Sequence, residues 1–247
     1  MTHAMTSSSF FRTLAQAACL TAAALSFPAA ASVIINGTRV IYNGAEKEVS
    51  VRLTNTGTQP VLVQSWTDEG DANATPDRIR TPFTLSPPIN RINAGKAQTV
   101  RLSYTGVPAL PQDRESVYWL NVLEVPAAKQ DETLSRLQVA FRSRIKLFYR
   151  PAALANREQV RAGAEGLTWT VSGQTLTASN ASPYFVSLVS VSLKGAGKGG
   201  SVEGEMVPPK GKQTFTLPKT ARAGAGTVLV YEYVNDWGAL RKVEYTL

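Results

Sequence analysis

The chain has 247 residues with 26 Lys and Arg against 18 Asp and Glu, a formal charge of +8, one cysteine and one histidine. Both of those single residues, Cys19 and His3, lie before residue 32, in a segment that reads as a removable leader. The rest has no thiol, no disulfide and no imidazole, which excludes Ser-His-Asp and Cys-His chemistry and most zinc sites. The positive balance raises the question of nucleic acid, but the basic residues are scattered and export argues against such a partner.

In chain order, residues 1–31 come first. Arg12 supplies a positive region, Leu14 to Leu25 an Ala/Leu-rich apolar stretch, and Ala29-Ala30-Ala31 small residues for cleavage. This is the pattern of a secretory signal peptide, with Ser32 as the new N-terminus. Cys19 does not read as a lipid-attachment site, because Gln16 stands three positions earlier where an aliphatic residue is needed. No later run is long and apolar enough to cross a bilayer. An exported chain without cysteine must rely on its apolar core, although disulfides were available to it.

From Ser32 onward the chain reads as all-β. Short segments rich in Val, Ile, Thr, Tyr and Trp are separated by Gly, Pro and Asn turns. They are Ser32–Ile35, Arg39–Tyr42, Glu48–Thr54, Gln59–Trp66, Ala97–Tyr104, Val117–Val125, Leu137–Tyr149, Leu167–Ser172, Thr175–Asn180, Tyr184–Leu193, Gly211–Leu217, Thr227–Val234 and Ala239–Leu247. No stretch shows helical periodicity with caps. In SWTDEGD, the acidic Asp68, Glu69 and Asp71 read as a turn after a strand. The Gly/Lys stretch 194–200 lacks the GK[ST] ending and a following helix, so it reads as a hairpin loop rather than a phosphate cradle. Trp66, Trp119, Trp169 and Trp237 read as packing residues. The length suits two sandwiches of about 100 residues each, 32–151 and 152–247, divided near Arg150–Ala155.

The most informative stretch is Leu137–Pro151, LQVAFRSRIKLFYRP. Leu137, Val139 and Phe141 alternate with polar or small residues, then a basic and aromatic cluster follows, and Pro151 ends the strand. An edge strand with an exposed apolar stripe is an aggregation hazard unless it exists to pair with another chain. The alternative is that the stripe is one face of a sandwich core. Lys146 has even parity and the stripe odd, so an ideal strand puts them on opposite faces. Ile145 and Leu147 continue the stripe and face either a partner or the core.

The segment Leu110–Pro126, LPQDRESVYWLNVLEVP, resembles the signature of the periplasmic pilus chaperones, the PapD-like family. Thr38–Tyr42, Arg80–Thr81–Pro82 to Pro88, Asn93–Leu102, Arg144–Pro151, Asn180–Val186 and Val234–Gly238 are similar to further family segments in the same order. The resemblance implies two immunoglobulin-like β-sandwich domains at an angle with a cleft between them. It implies a non-enzymatic periplasmic chaperone that needs no cofactor, metal or ATP. Its partners are pilus subunits, which are immunoglobulin-like folds lacking their last strand, and the outer-membrane usher that receives them. The chaperone lends the missing strand, and the free form is a monomer or a weak self-capped dimer.

By the same resemblance Arg39 and Lys146 bind the subunit's C-terminal carboxylate. Leu137, Val139 and Phe141 are the donated side chains, and Glu115, Arg150 and Asp236 form an ionic network across the domain interface. The short polar stretch Pro126–Arg136 is similar to that of the short-loop branch. Two rival readings fit less well. A pilus subunit would be a single domain, usually with a disulfide, and an exported glycoside hydrolase would need paired carboxylates in a cleft.

Overall fold

The computed structural model describes residues 32–126 and 139–247. The expected leader 1–31, the expected short loop up to Arg136, and Leu137 and Gln138 lie outside these described residues. The first strands are β1 (Val33–Ile35), β2 (Arg39–Asn43), β3 (Val49–Asn55), β4 (Val61–Asp68), β5 (Phe83–Ser86), β6 (Ile89–Ile92), β7 (Ala97–Tyr104), β8 (Ser116–Pro126) and β9 (Phe141–Arg150). After a short 3-10 turn (Ala152–Leu154) and helix α1 (Arg157–Glu165) come β10 (Thr168–Ser172), β11 (Thr175–Asn180), β12 (Val186–Leu193), β13 (Ser201–Glu203), β14 (Met206–Val207), β15 (Gly211–Thr216), β16 (Val228–Val234) and β17 (Leu240–Thr246).

They form two sandwiches. The first packs a four-stranded sheet, β1-β3-β7-β5, on a five-stranded one, β2-β9-β8-β4-β6. The second packs β10-β11-β15 on β13-β12-β16-β17, with β14 also pairing with β12. Each has its own core, because alternation along every strand sends one set of side chains inward. Leu53, Val63, Leu102, Leu120 and Leu147 fill the first. Trp169, Leu176, Val191, Leu229 and Tyr231 fill the second.

Three local expectations change. Asp68 is not in a turn. It is the last residue of β4 and only 2% exposed, while Glu69 and Asp71 do lie in the exposed turn beyond. Trp237 is not a packing residue, being 70% exposed. Helix α1 is present although no helical pattern stands out. Asn156 caps it by accepting from the Glu158 and Gln159 amides at 2.9 and 3.2 Å. A helix of nine residues with Val160 and Ala164 as its apolar stripe gives too little periodicity to read. Tertiary packing of that narrow face stabilises it.

The parity question at β9 resolves by layers. Ile145 packs against the first core, and Leu147 and Tyr149 lie within it. The even residues Lys146, Phe148 and Arg150 take the opposite face, where the second sandwich covers them: the rings of Phe148 and Phe185 stand 6.0 Å apart. That coverage explains why both faces of the last four residues of β9, Leu147 to Arg150, are buried. No bulge is needed, since the β8–β9 register runs unbroken from Ser116–Tyr149 to Glu124–Phe141.

The two sandwiches meet closely at the β16–β17 turn, VNDWG. A Cβ at Gly238 would lie 2.6 Å from the Thr38 hydroxyl oxygen of the first sandwich, and its φ is +81°. Both facts demand glycine at this approach.

Candidate functional site

β9 has an uneven environment. On one side β8 pairs with it from Phe141 to Tyr149. On the other, β2 runs parallel to it, and that ladder covers only Lys146 to Arg150, with Arg39 opposite Lys146 and Asn43 opposite Arg150. Among the described residues nothing pairs with Phe141–Ile145 on the β2 side, so that half presents open backbone donors and acceptors. Its odd face is the one that becomes core further along. Val139 precedes the strand and is 48% exposed, and Phe141 is half-buried. An apolar stripe thus runs out of the sandwich along an unpaired edge.

Where the open edge meets β2, Arg39 and Lys146 stand side by side in register. Both are half-buried. Arg39 Nη1 donates to the Val234 carbonyl at 2.9 Å, its guanidinium lies 5.8 Å from the Phe148 ring centre, and its Nε is buried without a partner. Lys146 forms no ion pair or hydrogen bond among the described residues. Burial lowers the Lys146 pKa, and the neighbouring Arg39 lowers it further. Burial lowers Arg39 as well, opposed by the charges of Asp236 and Glu115. Two partly desolvated cations with no carboxylate paired to either are set to receive an anion.

A second cluster lies behind them. Arg150 Nε donates to Glu115 at 2.6 Å, and its two terminal nitrogens donate to Asp236 at 2.7 and 2.9 Å. The other Glu115 oxygen accepts from the Phe185 amide at 2.8 Å, and the Glu115 amide donates to the Pro183 carbonyl at 2.9 Å. Burial pushes the Glu115 carboxyl up, and Arg150 opposes that push. For Arg150 burial acts downward, but its two carboxylates outweigh burial and raise it. Glu115 and Arg150 belong to the first sandwich and Asp236 and Phe185 to the second, so the cluster ties the two together. A cavity of about 120 Å³ opens beside it, walled by Arg39 and Phe148 from one sandwich and Arg161, Tyr233 and Trp237 from the other.

Comparison with known proteins places this architecture. Residues 32–155 match the family described as pili and flagellar-assembly chaperone, PapD N-terminal domain, and residues 162–245 match the pili assembly chaperone PapD, C-terminal domain. The chain belongs to the PapD-like family of pilus assembly chaperones. It is 41% identical to the chaperone protein MrkB of Klebsiella pneumoniae, over 87% of this chain and 91% of that one. It is 43% identical to the probable fimbrial chaperone YadV of Escherichia coli K12, over 89% and 91%. The crystal structure of the YadV chaperone superposes with a TM-score of 0.73 at 38% identity, covering 88% of this chain and all of that one. The SafB chaperone of Salmonella enterica, solved with the SafA pilin, gives a TM-score of 0.73 at 26% identity over 90% and 99%. The family is one of chaperones, not an enzyme class.

The chaperone also holds a cluster that sequence reading missed, on the outer face of the open half of β9. Arg144 donates to Asp68 through Nε at 3.0 Å and Nη2 at 2.5 Å, with its guanidinium 4.5 Å from the Trp119 ring centre. Asn121 and the Gly70 amide also donate to Asp68, at 2.6 and 2.7 Å. Burial pushes the Asp68 carboxyl up, but Arg144, Asn121 and Gly70 together hold it below its ordinary value. Arg142 reaches the Ala72 carbonyl at 2.6 Å beside Trp66. These contacts fasten the unpaired half of β9 to β4 and β8 from behind, leaving its edge open. The available signal was the alternation of Arg142 and Arg144, which put both on one face of the strand.

Proposed function

We propose that this chaperone captures pilus subunits by adding the open half of β9 to their incomplete sandwich, with Arg39 and Lys146 holding the subunit's C-terminal carboxylate. The observation that carries this reading is the pair of half-buried cations, without a paired carboxylate among the described residues, at the point where the open edge ends. β2 is parallel to β9, so an incoming strand that continues the β2 ladder toward Val139 runs in the same direction. Its C-terminus then arrives at Arg39 and Lys146. Main-chain hydrogen bonds supply affinity for any strand, and Leu137, Val139 and Phe141 fill alternate pockets. The carboxylate fixes the register.

Glu115, Arg150 and Asp236 act by holding the cleft geometry rather than by touching the subunit. The two domains divide at Pro151, as 32–151 and 152–247. The exported chaperone works in the periplasm, uses no nucleotide, hands the subunit to the outer-membrane usher and dimerises weakly at most when free. In support of that location, the periplasmic chaperone SfaE shares the fold at 33% identity and a TM-score of 0.65.

The test is periplasmic co-expression with a pilus subunit encoded nearby, followed by co-purification of wild type, Arg39→Ala and Lys146→Ala. A 1:1 complex with wild type that is lost or sharply reduced in both variants is expected, because truncating one member of a buried charge pair costs about 2–5 kcal/mol. A complex untouched by both substitutions overturns the carboxylate assignment.

A further inference from the structure

We propose that hydrolysis of the Ala31–Ser32 peptide bond delivers an α-ammonium into a preformed socket, where it becomes the counter-ion of the buried Glu124 carboxylate and locks β1 onto β8. This is independent of strand donation.

Glu124 sits on the core face of β8, 5% exposed. Among the described residues no lysine or arginine pairs with it. Among the described residues its donors all come from Ser32 and Val33. The Ser32 nitrogen lies 2.9 and 3.2 Å from its two oxygens, the Val33 amide donates at 2.8 Å, and the Ser32 hydroxyl donates as well. A buried carboxylate without a cation is costly. A backbone amide has one proton to share between two oxygens, whereas an ammonium has three, enough for one to each.

Ser32 is held from its other side too. Its carbonyl accepts from the Thr56 amide at 2.7 Å and the Thr56 hydroxyl at 3.1 Å. Opposite stands Gly57, where a Cβ would lie 2.7 Å from the Ser32 Cβ. The socket therefore fixes a small residue with its nitrogen aimed at a carboxylate. In the cleavage one water adds across the amide. Ala31 keeps the oxygen as its carboxylate, and the Ser32 nitrogen leaves with the protons as an ammonium at neutral pH. The catalyst is a leader peptidase of the export system.

The lock joins the two sheets of the first sandwich at the end where β9 begins, since Glu124 is the cross-strand partner of Phe141.

The experiment starts with chaperone purified from the periplasm, whose first residue is read by mass spectrometry and N-terminal sequencing. Ser32 is expected, and any other start overturns the proposal. The mature chain is then compared in denaturant with a chain that keeps Ala31, each with Glu124 and with Glu124→Gln. With Glu124 the extra residue should raise the unfolding constant roughly tenfold at pH 7, the scale of one hydrogen bond to a charged group. With Glu124→Gln the gap should close. Equal stability of both chains, or an equal gap in Glu124→Gln (crowding rather than charge), overturns it. Should Glu124→Gln not fold, the Ser32 amine is titrated by nitrogen NMR in the wild type. A pKa above the ordinary range of about 7.7–8.0 supports the pair, and a value within or below that range overturns it. The pairing raises the folded value, so the stability gap is complete below the ordinary range and disappears as pH rises through the raised one.

Discussion

At the scale of residues, the chain keeps two kinds of buried charge apart. Asp68 and Arg144 satisfy each other, with Asn121 and the Gly70 amide completing the carboxylate's shell. Removing Arg144 would strand a carboxylate that is 2% exposed. Arg144→Ala should therefore destabilise by about 3–5 kcal/mol, read by chemical denaturation. Because the Asp68 carboxyl is held below its ordinary value of 3.8, the pair's contribution is complete above that value and is lost as pH falls through the depressed one. Asp68→Asn should be less stable at neutral pH and should lack that part of the acid transition, measured by thermal melts from pH 7 downward. Lys146 is the opposite case, a cation lowered by burial that forms no ion pair among the described residues. An arriving carboxylate raises its pKa, so complex formation should take up protons where free Lys146 is partly neutral, and subunit affinity should fall as pH rises through that range. Calorimetry in buffers of different ionisation enthalpy measures the uptake.

At the scale of elements, β9 carries two jobs on one strand. Its last residues belong to a buried ladder between β2 and β8, and among the described residues nothing pairs with the other edge of its first residues. Phe141 is only half-buried, so Phe141→Ala should cost the free protein little and the subunit complex roughly 1.5–3 kcal/mol, the burial value of one large apolar side chain. Paired measurements of melting temperature and subunit affinity separate the two effects. Helix α1 has one side-chain cap, at its N-terminus. Asn156→Ala removes the acceptor for two amides and should lower stability by about 1 kcal/mol, with the helix backbone exchanging its amide hydrogens faster.

At the scale of the molecule, charged and polar contacts join the two sandwiches. Arg150 binds one carboxylate from each sandwich, Arg39 reaches the Val234 carbonyl, and Gly238 lies against Thr38. A buried ionic joint fixes geometry more surely than it adds stability. Arg150→Ala leaves Glu115 buried without its cation, so the sandwiches should pivot. A larger radius of gyration in small-angle scattering, with both cores intact by circular dichroism, is the expected result.

The amino-acid sequence carries the all-β class, the two cores and most strands, because period-2 alternation and turn residues are local properties. It also grouped Glu115, Arg150 and Asp236, and Arg39 with Lys146, though only through a family resemblance, since no spacing links residues so far apart. β5, β6, β13 and β14 were not legible, being of two to four residues each, too short to establish a period. Tertiary structure alone decided which face of β9 is core. Parity set Lys146 against Ile145 and Leu147, but burial of both faces required a second sandwich to arrive over Phe148 and Arg150. It also decided that Asp68 belongs to a strand and Trp237 to the surface. An acidic run reads as solvated until a cation from a distant strand is brought against it, and a tryptophan reads as core until its turn is seen to project into a cleft.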